Sequence, residues 1–154
     1  MGIADISSLD TSKLCGDTFA ANSRNERVLM KCKFISEKNK FCYRAACYYT
    51  TRELVKRLNI PEGKYISSFQ SRLDDKWLKP YSDRVIEQKA KEGIKKILVF
   101  SPAFVSDCLE TIYEIGIEYE HIFKNNGGGK LQLVESLNEN QKWIEALKQL
   151  VMTA

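Results

Sequence analysis

Proline and glycine are scarce in this sequence, and it contains no long apolar run. With three Pro, eight Gly, 44% hydrophobic and 29% charged residues, a collagen-like chain, a low-complexity chain and wholesale disorder are excluded. No apolar run reaches the roughly 18–20 residues of a membrane span. Residues 1–6 lack the basic start and apolar stretch of a secretory signal, and Ile6 breaks the myristoylation pattern. We therefore expect a packed cytoplasmic unit, either one domain or a fragment of a larger protein.

Positive charge is concentrated in the first part of the chain. Residues 1–60 hold 11 Lys and Arg against 6 Asp and Glu, whereas residues 61–154 hold 13 against 14. The basic run from Arg24 to Arg44 is compatible with binding to nucleic acid or to an anionic lipid surface, but no nucleic-acid-binding motif accompanies it. We favour a solvated segment, expect no nucleic-acid partner and leave a peripheral membrane contact open.

Helical and strand patterns alternate from residue 48 onward. The predicted helices begin at Thr50 or Thr51, at Pro80, at Ser106 or Asp107, and after a cap at Asn138; the predicted strands cover 65–69, 96–100 and 131–134. This alternation predicts a parallel sheet with helices on both faces. Ligands of such sheets bind outside the carboxyl ends of the strands, which here are the loops 70–80 and 101–108.

Four carboxylates share one face of the long helix predicted after residue 106. This acidic stripe consists of Asp107, Glu110, Glu114 and Glu118. Like charges at this spacing destabilise a helix by roughly a few tenths of a kcal/mol each. The stripe is either a solvated face or a line of oxygen ligands for a divalent cation, and spacing alone favours the solvated face. Gly116 in its middle is tolerable if the helix is locally irregular.

Three of the five cysteines lie close together in the sequence: Cys32, Cys42 and Cys47. In a reducing compartment such clustering favours metal or redox chemistry over disulfides. The spacing matches no common zinc pattern, and a zinc or iron–sulfur site needs about four ligands. Cys15 is a weak fourth candidate because residues 16–31 separate it from Cys32. Spacing alone slightly favours an incidental set of thiols.

Several blocks of the sequence resemble the ferrochelatase family. In chain order they are Ser68-Phe69-Gln70-Ser71-Arg72, Trp77-Leu78-Lys79-Pro80, the run from Pro102 to Glu114, Ile117-Glu118-Tyr119 and Glu135-Ser136-Leu137-Asn138. The resemblance implies an α/β fold with a Rossmann-like parallel sheet and helices on both faces, as one incomplete half of the two-domain type II chelatase fold. It also suggests three parts: a foreign or disordered segment 1–31, a cysteine-containing segment 32–47 and a ferrochelatase-like domain 48–152.

The resemblance implies an activity and the residues that serve it. The activity is insertion of ferrous iron into a porphyrin in haem biosynthesis, with a porphyrin and Fe²⁺ as the substrates. Glu110 would be the catalytic and metal-site carboxylate, and the other implied residues follow by role: Glu114 and Asp107 on the acidic path to the metal; Ser71, Trp77 and Phe104 along the porphyrin pocket; Cys32, Cys42 and Cys47, with Cys15 as the weak fourth, at a [2Fe–2S] cluster.

The sequence also departs from the family pattern. The family's metal-binding histidine lies in a Ser-x-His-Gly/Ser-Leu-Pro motif that has no counterpart here, and the only histidine, His121, follows the acidic stripe. Cys108 stands where many members have a second histidine, and the first Rossmann half has no counterpart. We therefore expect the chain alone to be inactive, without an assembled cluster and dependent on the missing N-terminal half. The alternative is a non-catalytic remnant, or a fragment that binds metal or porphyrin with a partner.

Overall fold

The structure, a computed structural model, describes residues 35, 37, 39–70 and 77–153. Segment 1–31, with Cys15, lies outside the described residues, as do Cys32 and Ser71. The chain divides into two compact units, with the boundary between Val85 and Ile86. No helix within the described ranges is long and apolar enough to cross a membrane. The elements are α1 (Tyr43–Arg57), α2 (Ser82–Lys91), β1 (Lys96–Val99), a π-helix (Glu110–Tyr119), α3 (Glu120–Asn125), β2 (Lys130–Leu133) and α4 (Gln141–Thr153).

Helix α1 begins at Tyr43, so the prediction of a start at Thr50 or Thr51 is wrong. Thr51 lies inside the helix, where its hydroxyl donates to the carbonyl of Cys47 at 3.1 Å instead of capping a free amide. The earlier start has a tertiary cause, because side chains of the first turns pack against a buried apolar pair. That pair is Phe69 and Leu78, and the side chains packed on it include Tyr43, Cys47 and Tyr48.

The predicted strand 65–69 is reduced to a single bridge between Phe69 and Tyr81. The Phe69 amide donates to the carbonyl of Pro80, and the Ser82 amide donates to the carbonyl of Phe69, both at 2.9 Å. The bridge cannot grow into a ladder, because Pro80 has no amide proton and helix α2 begins at Ser82. Two buried hydroxyls, those of Ser68 and Ser82, meet at 3.0 Å beside it.

The second unit contains the sheet, which is parallel as predicted. Strands β1 and β2 pair in register from Lys96 with Lys130 to Val99 with Leu133. The π-helix and α3 both pack against β2. Their shared core holds the fully or almost fully buried side chains Val99, Ile115, Phe123 and Leu131. The fold is therefore a mixed α/β arrangement, and the prediction of the fold class is confirmed.

Two helical predictions in this unit need correction. The long helix expected to begin at Ser106 or Asp107 is two elements, the π-helix and then α3. The last helix is not capped by Asn138, since it begins at Gln141 and the side chain of Asn140 accepts the Lys142 amide at 3.0 Å. Asn138 instead adopts a positive φ of 45° and contributes to the cluster around Asp107.

Candidate functional site

The π-helix presents two adjacent stripes of side chains. The buried stripe consists of Thr111, Ile115 and Tyr119, which are 0%, 0% and 5% exposed. Each of these residues follows one glutamate of the acidic stripe, of which Glu114 is half-buried while Glu110 and Glu118 are exposed. Burial of one stripe against β2 therefore places the three glutamates next to the buried face of the helix. The irregularity that would accommodate Gly116 is present, in the form of the π-helix itself.

The half-buried carboxylate of the stripe is held by a tyrosine one turn further on. The hydroxyl of Tyr119 donates to Oε1 of Glu114 at 2.9 Å. A π-helix repeats through contacts between residues five apart, so this pair meets along the helix axis. A bond to an ionised acceptor is about twice as strong as one between neutral groups. Sequence reasoning missed Tyr119, because in an α-helix positions five apart do not face each other.

Asp107 lies just before the π-helix, in a cluster with Thr111, Ser136 and Asn138. The Asn138 amide donates to Oδ2 of Asp107 at 2.8 Å, and the Ser136 backbone amide lies 3.3 Å from Oδ1 and 3.4 Å from Oδ2. The Thr111 hydroxyl lies 3.2 Å from Oδ1. These donors, Asn138 first, hold the pKa of Asp107 below its ordinary range. The predicted place of Asp107 on a metal path stays a prediction; the structure shows a carboxylate with three protein partners.

The carboxylates of the acidic stripe do not converge on one point. Within residues 35, 37, 39–70 and 77–153, no three His, Cys, Asp or Glu side chains come together closely enough to hold a metal ion. His121 lies exposed on α3. Glu110, Glu114 and Glu118 instead follow one another along the π-helix.

The two described porphyrin-pocket candidates lie in different units. Trp77 is half-buried in the first unit and packs against the pair Phe69 and Leu78. Its buried indole Nε1 has no hydrogen-bond partner among the described residues. Phe104 is half-buried in the second unit, where its amide donates to the carbonyl of Ser101 at 3.1 Å.

The two described cysteines of the predicted cluster site are packed as small apolar side chains. Cys42 is 2% exposed and packs with Ala45, whereas Cys47 packs against Phe69 and Leu78. Burial, with Cys42 as a minor contributor, raises the pKa of the Cys47 thiol. A [2Fe–2S] cluster needs about four thiolate ligands. One buried thiol and one half-buried thiol, both packed among apolar side chains, do not fit that group by themselves.

Comparison with known proteins gives one consistent family. The sequence profile of the ferrochelatase family matches residues 19–154, a range that begins inside the segment 1–31, whose foreign origin stays a prediction. The ferrochelatase of Coxiella burnetii (strain Dugway 5J108-111) is 42% identical over 120 residues, which are 77% of this chain and 34% of that protein. The ferrochelatase of Pseudomonas fluorescens (strain SBW25) is 46% identical over 112 residues, 72% of this chain and 33% of its own. The chain thus spans 33% to 34% of the length of these curated relatives. By these matches and by its α/β fold, the chain belongs to the ferrochelatase family.

Proposed function

We propose that this chain contributes the metal-delivering helix and part of the porphyrin pocket of a ferrochelatase, which inserts Fe²⁺ into a porphyrin. The observation that carries the proposal is the π-helix, in which Glu110 and Glu114 lie one turn apart, each directly before a residue of the buried stripe. π-helical segments are rare and are found frequently at functional sites.

Metal insertion poses two chemical demands that carboxylates can meet. Fe²⁺ must exchange its water ligands for the four pyrrole nitrogens, and the porphyrin must release two protons as these nitrogens bind the metal. Glu110 and Glu114 supply oxygen ligands that replace water one at a time. Glu114 is held by Tyr119 through Oε1, so its second oxygen keeps a fixed direction for the cation. The released protons require a base, which in this family is a histidine.

The porphyrin would be bound by flat aromatic and apolar side chains. Trp77 and Phe104 are both half-buried aromatic side chains, which is the type of side chain on which a flat macrocycle stacks. Ser71, a residue outside the described ranges, is the polar member of the proposed set. The buried indole nitrogen of Trp77 gives this side chain a donor that a bound ligand or a neighbouring segment could use.

We further propose that these 154 residues bind both substrates without turnover on their own. Their only histidine is the exposed His121, and the family's histidine motif does not occur among them. Without that base and an opposite wall for the pocket, the chain lacks positioning that can supply several kcal/mol of a barrier. The alternative, a fragment that binds metal or porphyrin with a partner, differs only in that another polypeptide supplies the rest of the pocket. Turnover by the purified chain, abolished by Glu110→Ala, would disprove the proposal of binding without turnover.

The test of metal delivery is calorimetric titration of the full chain with Co²⁺ as a stable stand-in for Fe²⁺. The Glu110→Gln/Glu114→Gln variant should bind at least about tenfold more weakly, since each amide removes a charged ligand. Glu145→Gln is the matched control, because Glu145 is an exposed carboxylate on α4 outside the acidic stripe. Equal Co²⁺ affinity in all three proteins would make the stripe a solvated face.

Porphyrin binding can be followed by the absorption shift of the macrocycle on titration with the chain. Trp77→Leu should weaken binding, whereas Trp143→Leu, which removes a half-buried tryptophan from α4, should leave it unchanged. Equal losses in both variants would indicate non-specific adsorption of the macrocycle.

Cluster assembly is tested by anaerobic reconstitution with iron and sulfide. We expect no stable cluster, because Cys42 and Cys47 are packed thiols and recruitment of Cys15 requires closing a loop over residues 16–31. A brown protein with a rhombic electron-spin signal that is lost in Cys15→Ser would overturn this expectation.

A further inference from the structure

Asp107 and Asn138 hold each other through reciprocal hydrogen bonds. The Asp107 backbone amide donates to Oδ1 of Asn138, and Nδ2 of Asn138 donates to Oδ2 of Asp107, both at 2.8 Å. A third bond runs from the Asn138 backbone amide to the carbonyl of Val105 at 2.9 Å. The side chain of Asn138 thus satisfies both the backbone and the carboxylate of Asp107, and few other side chains could do both.

The same carboxylate contacts the first turn of the π-helix and the segment that leaves β2. The Ser136 amide approaches both of its oxygens, at 3.3 and 3.4 Å. The hydroxyl of Thr111, a fully buried residue, shares its one proton between Oδ1 of Asp107 at 3.2 Å and the Cys108 carbonyl at 3.0 Å. The Thr111 oxygen also accepts the Cys108 amide at 2.9 Å. Asp107 therefore links the start of the π-helix to the loop after the strand.

The backbone of Asn138 adopts an unfavourable conformation while its side chain bonds Asp107. Its φ of 45° lies in the left-handed region, which glycine adopts more readily than any residue with a side chain. Glycine would meet the backbone requirement but would lack the amide that joins Asp107. Asparagine and aspartate are the residues with side chains that visit this region most readily.

We propose that Asp107 is a positioning residue, which together with Asn138 fixes the start of the π-helix on the loop after β2 and thereby sets the place of Glu110. This role differs from that of a metal ligand on the acidic path. The part of the inference that concerns Glu110 rests on the proposed function, whereas the part that concerns the π-helix stands on the hydrogen bonds alone.

The test exchanges the two side chains. In Asp107→Asn, the new side-chain NH₂ group faces the NH₂ group of Asn138, and neither can accept a hydrogen bond. In Asn138→Asp, the new carboxylate faces the carboxylate of Asp107. Each single variant therefore breaks the hydrogen bond between the two side chains. In the double variant Asp107→Asn/Asn138→Asp, the amide at position 107 can donate to the carboxylate at position 138. The carbonyl oxygen at position 107 still accepts from Ser136 and Thr111. The carboxylate at position 138 still accepts the backbone amide of residue 107.

Two readouts on the full chain separate position from charge. The first is hydrogen exchange of the peptide covering residues 108–119, which each single variant should accelerate about tenfold or more and the exchanged pair should restore. The second is Co²⁺ affinity, which should fall in both single variants and recover in the exchanged pair, although position 107 then carries no charge.

Each outcome of this experiment decides the proposal. Recovery of both readouts supports it. If the exchanged pair restores the wild-type rate of hydrogen exchange but not the Co²⁺ affinity, the charge of Asp107 is itself a metal ligand and the proposal is overturned. Recovery of neither would also overturn it. If the wild-type chain binds no Co²⁺, the proposed function loses its metal site, and hydrogen exchange alone decides the role of the pair. If the single variants do not fold, a folded exchanged pair with wild-type exchange supports the proposal and an unfolded one refutes it.

Discussion

Replacement of Tyr119 by phenylalanine isolates the bond that orients Glu114. Tyr119 is 5% exposed, and its ring belongs to the buried stripe of the π-helix, so phenylalanine keeps the packing and removes only the hydroxyl. A hydrogen bond to a charged group contributes about 1.5–3 kcal/mol. Glu114 is half-buried and can turn partly to water, so we expect a loss of about 1 kcal/mol in the free energy of unfolding.

The same variant should also weaken Co²⁺ binding severalfold, because Glu114 then samples several directions and must be ordered by the cation. Chemical denaturation measures the stability change, and calorimetric titration measures the change in affinity. A loss of stability without a change in affinity would separate the hydrogen bond from metal binding.

The control for this variant lies on the same helix. Tyr113 is 49% exposed and outside the buried stripe, so Tyr113→Phe removes a hydroxyl of the same kind without breaking the bond to Glu114. We expect Tyr113→Phe to change the free energy of unfolding by less than about 0.5 kcal/mol. If the two variants behave alike in both assays, the reasoning about Tyr119 and Glu114 is refuted.

Two further predictions concern steric space and acid stability. A Cβ at Gly129 would lie 2.6 Å from the backbone oxygen of Lys95, so Gly129→Ala should lower the denaturation midpoint; at Gly116 the nearest atom would be 3.6 Å away, and Gly116→Ala should be tolerated. Equal effects of the two alanines would contradict this. Because the folded-state pKa of Asp107 is lowered, its contribution to stability is complete above the pKa of an unfolded aspartate and is lost as the pH falls through the folded value. Denaturation midpoints should therefore fall less steeply with acid in Asp107→Asn than in the wild type, and parallel pH profiles would argue against the cause given for the shift.

The sequence predicts strands β1 and β2 and the three helical glutamates of the acidic stripe, because these features depend on local pattern, whereas the strand at 65–69 and the place of Asp107 on the helix are not found. The apolar run at residues 96–100 gives β1, and Leu131 lies on β2 with 4% exposure. Their parallel pairing follows from the alternation of strands and helices. The spacing of Glu110, Glu114 and Glu118 places them on one side of any helix, whether α or π.

The features that the sequence could not predict depend on contacts between distant residues. Helix α1 starts early because Tyr43 and Cys47 pack on Phe69 and Leu78. Helix propensity depends on neighbouring residues and does not include such distant contacts. The bridge at Phe69 stays single because its partner segment turns into a helix at Ser82. Asn138 resembles a helix cap in sequence, but its side chain is used by Asp107, 31 residues away.

The π-helix combines features that depend on local pattern with features that depend on contacts between distant residues. An α-helix through residues 110–119 would place Tyr119 and Glu114 on different faces, since only residues three or four apart are neighbours there. In the wider π-helix, Tyr119 and Glu114 are close enough to form a hydrogen bond. The side chains of Thr111, Ile115 and Tyr119 are buried in the same helix. Burial of one side of the π-helix and the bond from Tyr119 to Glu114 both stabilise this helix. Tyr119 thereby holds the carboxylate of Glu114 in a fixed direction, and this is the feature on which the proposed metal delivery rests.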